Sequence, residues 1–391
     1  MNWITTFNWT SHPFLLFLIG LLAVFVLVQL SYILFVFTRL AVYRLPKNET
    51  ATSPPVSVIV CAHNELENLR ELVPLLNQQN YADFEVIIVN DRSTDGSEIW
   101  LNAEAQQEQK LRCFHVNQQH AHVTPKKYAL TTAIRQAKNE VVLLTDADCR
   151  PVSDNWIALM AGQLTADKKI VLGFSPYYKQ AGFLNRFIRF ETFYVAVQYL
   201  SLALAKKPYM GVGRNLLYNK QLFLENKGFY SHLNVLGGDD DLLMNEIATP
   251  ANTTICLHPD SFMYSQPKTT WGEWFTQKKR HLSVSKHYRW DNKLRLGLLS
   301  GSQVLVWLFF VPALILAAFL FPQEPVYLLM ASSIFGLRLL VQWLVLGLNS
   351  RKLGNSVGWF AIPFFDFILF LYYIGMAIVM WLNRRKKMQW K

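Results

Sequence analysis

The sequence predicts an α/β domain with a mostly parallel sheet, carried between apolar segments long enough to cross a membrane. Three observations carry that expectation. From residue 56 to about 175, short β-branched runs alternate with stretches of helical spacing. Polar residues collect where the runs end, in Cys-Ala-His63-Asn64-Glu65, in Asn90-Asp91-Arg-Ser-Thr-Asp95 and in Asp146-Ala-Asp148. Residues 13–37 carry no formal charge, and apolar side chains dominate 303–322, 326–348 and 358–382.

Taken in order, Val56 to Cys61 reads as a strand. Asn64 to Gln78 is helical, with Leu66, Leu69, Val73 and Leu76 on one face. Glu85 to Asn90 is the second strand and Arg112 to Val116 a weaker third. Lys126 to Lys138 is helical, Val141 to Thr145 is a buried strand, and Ile170 to Phe174 is another. The run Val141 to Asp148 is the centre of the chain. Its two acids stand two positions apart, and in extended chain they face one side. Open α/β sheets place phosphate-bearing ligands at that carboxyl edge. Two acids aimed at one spot repel unless a cation lies between them, and a hard divalent ion on a diphosphate serves. There is no G-x-x-x-x-G-K-[ST] loop, and Gly211-Val-Gly213 lacks a third glycine and does not follow the first strand. Phosphates are therefore left to a metal and to basic side chains. Asp91, at the second strand's end, suits hydrogen bonds from a base or ribose.

Composition narrows the partners. The chain is 52% hydrophobic, with 27 Phe, 16 Tyr and 12 Trp, and its net charge is +11. Its basic residues cluster beside apolar spans, at Arg39, Arg44 and Lys47, at Lys278 to Arg280 and at Arg384 to Lys387. That placement favours anionic lipid and a cytoplasmic surface over nucleic acid. The 4 cysteines, Cys61, Cys113, Cys149 and Cys256, show no C-x-x-C spacing and read as reduced thiols. His120-Ala-His122 reads as a loop rather than a zinc site.

Residues 1–12 hold no Lys or Arg, whereas Arg39, Arg44 and Lys47 follow the first span. The positive-inside rule then puts residue 1 outside and the chain beyond 40 in the cytoplasm. Lys47 to Pro55 is a linker. The expected division is 1–45 for the first span, 46–290 for the cytoplasmic domain and 300–391 for the C-terminal membrane region, an integral protein of a bacterial inner membrane. Within the domain, 182–205 and 271–288 mix aromatic, apolar and charged residues and are expected as interfacial helices. In the last apolar segment, Pro363, Asp366 and Gly375 argue for a re-entrant hairpin or a broken helix, which keeps the basic C-terminus inside. Arg338 is the expected partner of Asp366.

The runs Val56-Ser-Val-Ile-Val-Cys-Ala-His-Asn-Glu65, Val-Ile-Ile-Val-Asn-Asp91-Arg-Ser-Thr-Asp-Gly-Ser and Thr-Asp146-Ala-Asp148 together resemble the family 2 glycosyltransferases. The likeness continues through Lys127-Tyr-Ala-Leu, Gly213-Arg-Asn215-Leu-Leu-Tyr, Gly237-Gly-Asp-Asp240-Asp-Leu-Leu and Gln277-Lys-Lys-Arg280-His281, so it covers residues 55 to 290. Members with lipid acceptors, such as ceramide glucosyltransferase-like enzymes, carry a Q-x-x-R motif of this kind. The resemblance implies a GT-A fold and inverting transfer of a sugar from a UDP-sugar donor with Mg²⁺ or Mn²⁺. It implies that Glu65 and Asp91 line the uridine pocket, that Lys127 stands near the diphosphate with Gln277 on the donor side, and that Asp146 approaches the ribose or sugar. Asp148 would bind the metal, Asp240 would be the general base and Arg280 would clamp the leaving diphosphate. Asn215, Trp274 and His281 fall on the acceptor side, His281 standing where the family has Trp.

The chemistry asks for these types independently. One carboxylate must take the acceptor's proton. A cation and a guanidinium must meet the charge growing on the leaving diphosphate. Leu243, three residues after Asp240, selects it over Asp241, and Asp239 or Asp241 is a candidate helix cap. The leading expectation is a lipid or lipid-linked acceptor. Polysaccharide synthesis, polyprenyl-phosphate sugar synthesis and an inactive sugar-nucleotide-binding module are the alternatives.

Overall fold

The computed structural model describes residues 11–44, 53–118 and 120–382. They form two compact units. Among these, one unit holds the described residues between 42 and 289 together with 350–357, and the other holds 11–41, 290–349 and 358–382.

The first unit is built on a sheet of strands β1 (Val56–Ala62), β2 (Phe84–Asp91), β3 (Leu111–Val116), β4 (Val141–Asp146), β6 (Ile170–Leu172), β7 (Leu216–Asn219) and β8 (Thr253–Ile255), while β5 (Cys149–Pro151) pairs with β9 (Met263–Ser265) beside it. The order β3-β2-β1-β4-β7-β6-β8 is mixed, not mostly parallel throughout. Strands β1 to β4 run parallel, β7 is antiparallel to both β4 and β6, and β6 is parallel to β8. β1 lies between β2 and β4, with Cys61 opposite Asp146. The order therefore reverses between β1 and β4, and the tip of β4 stands at the crevice such a reversal opens.

Periodicity accounts for the packing. The helix Leu66–Asn77 turns Leu69, Leu72, Val73 and Leu76 onto Val58, Val60, Val86, Ile88 and Leu143. Each such buried side chain contributes roughly 1.5–3 kcal/mol. The acid inside β2, Glu85, is held by Ser57 Oγ (2.6 Å), Arg112 Nη1 (2.7 Å) and the Lys138 N–H (2.7 Å).

The helix Phe183–Leu204 corrects an expectation. It is internal, not interfacial, with Phe187, Phe190, Phe193, Tyr194, Val197 and Leu200 all buried. The polar residues that suggested a surface helix are satisfied inside. Asn185 donates to Tyr178 O (3.0 Å) and accepts from the Gln180 N–H, while Glu191 pairs with Lys278.

The second unit holds four helices long and apolar enough to cross a membrane, Pro13–Val42, Trp290–Leu320, Pro325–Lys352 and Ala361–Leu382. Leu18, Leu22 and Val26 pack with Val306, Ala313, Tyr327 and Ala331, while Phe14, Leu27, Phe319, Leu329 and Phe364 face outward. The last segment is one continuous helix, neither broken nor re-entrant. Its acid is neutralised in place, which removes the reason for a break. Asp366 and Arg338, both fully buried, meet at 2.5 and 3.0 Å. Gln303 (2.6 Å), Gln342 (2.8 Å) and Trp307 Nε1 (2.9 Å) also donate to that carboxylate. The basic run 384–387 and Lys47 lie outside the described residues.

Candidate active site

The site is assembled from the carboxyl ends of β1, β2 and β4 and from two later segments of the same unit. β4 ends at Asp146, and residues 147–148 form a turn. The two acids are thus set side by side by that turn, not by extended chain. Burial and then the Asp146 charge raise the Asp148 carboxyl above the usual range. Two carboxylates at one strand tip are hard oxygen donors, so the donor set fits a hard divalent cation. Among the described residues no cluster of three or more His, Cys, Asp or Glu stands ready as a metal cage. A diphosphate would have to complete the ligand set.

Glu65, just after β1, lines a pocket with Asn64, Leu66, Asn68 and Asp95 at the strand tips, and accepts from Asn68 Nδ2 at 2.6 Å. Asp95 ties the pocket's wall together, accepting from the backbone N–H of Leu66 (2.8 Å) and of Ser97 (3.1 Å). Asp91 ends β2, but Arg92 already engages its carboxylate through Nε (2.7 Å) and Nη2 (3.0 Å).

Lys127 does not face the diphosphate crevice. Its ammonium is buried and donates to His232 O (2.6 Å) and Val235 O (2.7 Å), pinning the chain that leads into the three acids. The cation in the crevice is its neighbour, Lys126, which lies 3.0 Å from Asp146 Oδ1 and 3.0 Å from Asp239 Oδ2. Burial opposes the charge of Lys126, yet Asp146, Asp239 and Asp240 hold its pKa well above the ordinary value. The sequence offered one signal for this residue, two lysines in a row at the start of a helix.

Asp240 is itself the cap of the helix Asp241–Ile247, the place expected for Asp239 or Asp241. Its Oδ2 accepts from the Gly213 N–H (2.7 Å) and its Oδ1 from the Asp241 N–H (2.8 Å). Burial, then the Asp239 charge, raise its pKa. Asp241 is pushed up to about 8 by burial and by Asp240. Its oxygens are taken by the Tyr288 hydroxyl (2.7 Å) and the Leu242 N–H (2.8 Å). Gly237 and Gly238, at φ 88° and 77°, deliver the acids through a turn that favours glycine, and a Cβ on Gly238 would lie 2.6 Å from Leu242 Cδ1.

The helix Trp271–Val284 brings Gln277, Lys278, Arg280 and His281 to this unit, with Arg280 and Val284 packed over Gly237. Enclosure by the surrounding protein, although the ring still touches solvent, and the charges of Lys278, Arg280 and Arg214 hold His281 well below the ordinary imidazole value. Two acceptor-side expectations fail. Trp274 is buried against Phe187, Trp271 and Phe275, and it is Trp271 that remains exposed. Asn215 is sealed in the core, donating to Phe174 O and Ser261 O (2.9 Å each) and accepting from Trp156 Nε1 (3.0 Å). A Cβ on Gly173 would lie 2.4 Å from its Cγ. Its neighbour Arg214, unremarked from sequence, instead stands over the Tyr177 ring at 4.4 Å.

With this geometry in view, the comparisons can be read. Residues 57–225 match the model described as glycosyl transferase family 2. The mannosyltransferase PcManGT from Pyrobaculum calidifontis, solved with GDP-Man and Mn²⁺, is 19% identical, covers 83% of this chain and 97% of its own, and gives a TM-score of 0.57. The fold is GT-A. TarS from S. aureus, residues 1–349, was solved alone and with UDP-GlcNAc. It is 15% identical, covers 79% of this chain and 90% of its own, and scores 0.42. No curated protein matches the sequence. The family model covers one stretch of the chain, from β1 to the helix after β7, and the crevice at the β1–β4 reversal lies within it, where open α/β sheets receive phosphate-bearing ligands.

Proposed function

We propose that this protein moves one sugar from a UDP-sugar to a lipid or lipid-linked acceptor at the cytoplasmic face of a membrane, with inversion. The observation that carries the reading is the linkage of Asp146, Lys126, Asp239 and Asp240, which joins a strand-tip carboxylate to a half-buried one whose pKa is raised. Asp240 takes the proton from the attacking hydroxyl. Its two backbone hydrogen bonds orient the carboxylate and leave lone pairs for that proton. Asp148, with Asp146 beside it, would hold Mg²⁺ or Mn²⁺, which when bound neutralises charge on the leaving diphosphate. Arg280 would add a guanidinium to that task. Glu65 and the Asn64–Asp95 pocket receive the nucleoside.

The lipid acceptor rests on the four spans of the second unit and on the exposed Trp271, Phe275 and Phe183 of the first. The experiment is incubation of membranes holding the chain with labelled UDP-glucose, UDP-galactose, UDP-N-acetylglucosamine and GDP-mannose, the last because PcManGT was solved with it. Label should enter the solvent-extracted lipids from one donor and vanish in chelator. Label confined to water-soluble or polymeric product would overturn the lipid acceptor. Failure of every nucleotide sugar to bind would overturn the activity.

A further inference from the structure

We propose that Arg214, laid on the ring of Tyr177, binds and orients the sugar being transferred. The inference rests on the function proposed above. The guanidinium carbon lies 4.4 Å from the Tyr177 ring centroid, so one face of the group is fixed by stacking. Its Nη1 is shielded from solvent and has no hydrogen-bond partner among the described residues. A shielded N–H of a charged group without an acceptor is destabilising, because the hydration it has lost is not replaced. The loss is recovered when a ligand oxygen accepts from it.

Position identifies which part of the ligand that is. The preceding residue, Gly213, donates its backbone N–H to Asp240. Asp146 and Asp148 act on the Arg214 charge from the β4 side, and Arg214 in turn acts on His281 from the helix Trp271–Val284. Arg214 therefore stands between the acids suited to a metal diphosphate and the base beside the acceptor. The sugar must occupy that interval, because its anomeric carbon is bonded to the diphosphate and attacked from the base's side. The shielded N–H suits a hydroxyl oxygen of a hexose, and the planar fork with its fixed stacking face discriminates between hydroxyl orientations.

The test compares affinities of wild type and Arg214→Met for UDP against UDP-glucose, UDP-galactose and UDP-N-acetylglucosamine, and for GDP against GDP-mannose, by titration calorimetry with Mn²⁺. Arg214→Met should bind the bare diphosphates as wild type does. Its affinity for the preferred nucleotide sugar should fall at least tenfold. An equal loss on diphosphate and nucleotide sugar, or no loss on either, overturns the assignment. Tyr177→Leu, which removes the stacking platform, is read in the same way if Arg214→Met does not fold. A wild-type chain that binds none of these nucleotides overturns the proposed function and this inference together. Wild-type binding with both variants unaltered overturns the sugar contact alone.

Discussion

The molecule clusters ionic groups in two places, one fully buried and one half-open, and the two are built on opposite principles. In the membrane-type unit, one arginine meets one aspartate, and Gln303, Gln342 and Trp307 supply further donors to the carboxylate. Charge there is balanced inside the protein. In the GT-A unit, Lys126 stands among Asp146, Asp239 and Asp240, with Asp148 close by, and the Asp148 and Asp240 carboxyls are lifted above their usual range. Lys126 holds Asp239 below its usual range but leaves Asp148 and Asp240 above theirs, so one ammonium does not serve all the acids around it. A balanced pair ties helices together, whereas an unbalanced cluster is completed by what binds to it.

Breaking the unbalanced site should give the largest effect. Asp240→Asn should lower transfer roughly 10²–10⁴-fold while nucleotide-sugar binding persists. Single-turnover assays beside calorimetry check it, and unchanged turnover removes Asp240 as the base. Breaking the balanced pair should be felt in stability. Arg338→Met leaves a buried carboxylate alone and should cost about 3–5 kcal/mol. Arg338→Met with Asp366→Leu should recover most of that, as read by unfolding in detergent. A double variant no better than the single one would show that the pair does more than cancel charge.

Two smaller effects sharpen the contrast. The proposed base, Asp240, would work deprotonated, so activity should fall as pH drops through its raised pKa. Lys126 lowers that pKa by its charge. In Lys126→Met the acidic limb of the pH–rate profile should therefore move to higher pH, and an unmoved limb would detach Lys126 from the base. Asn215→Ala strands Trp156 Nε1 and two carbonyls and should cost roughly 1–3 kcal/mol. Its KM for acceptor should stay at the wild-type value, because the side chain reaches no cleft.

Much of this was legible in the sequence because local pattern decides it. Alternating apolar runs gave the strands, acids at run ends gave the crevice, and a lone Arg and a lone Asp in apolar spans had only each other to meet. What escaped depends on rotation and on distant partners. Neighbouring helix residues point about 100° apart, so packing decides whether Lys126 or Lys127 enters the crevice, and the same holds for Trp271 and Trp274. Glu191 looked like a surface charge because its partner, Lys278, is remote in sequence. Asn215 looked like a ligand contact because the carbonyls that consume it come from two other segments.

The ammonium of Lys126 reaches both the strand tip that greets the donor and the acid next to the helix that presents the base. Any divalent ion arriving with nucleotide enters an electrostatic field this lysine already occupies. On the proposed function, loading and emptying would be competitions between cations, and images of the nucleotide-free and nucleotide-loaded states should differ first in where this one side chain rests.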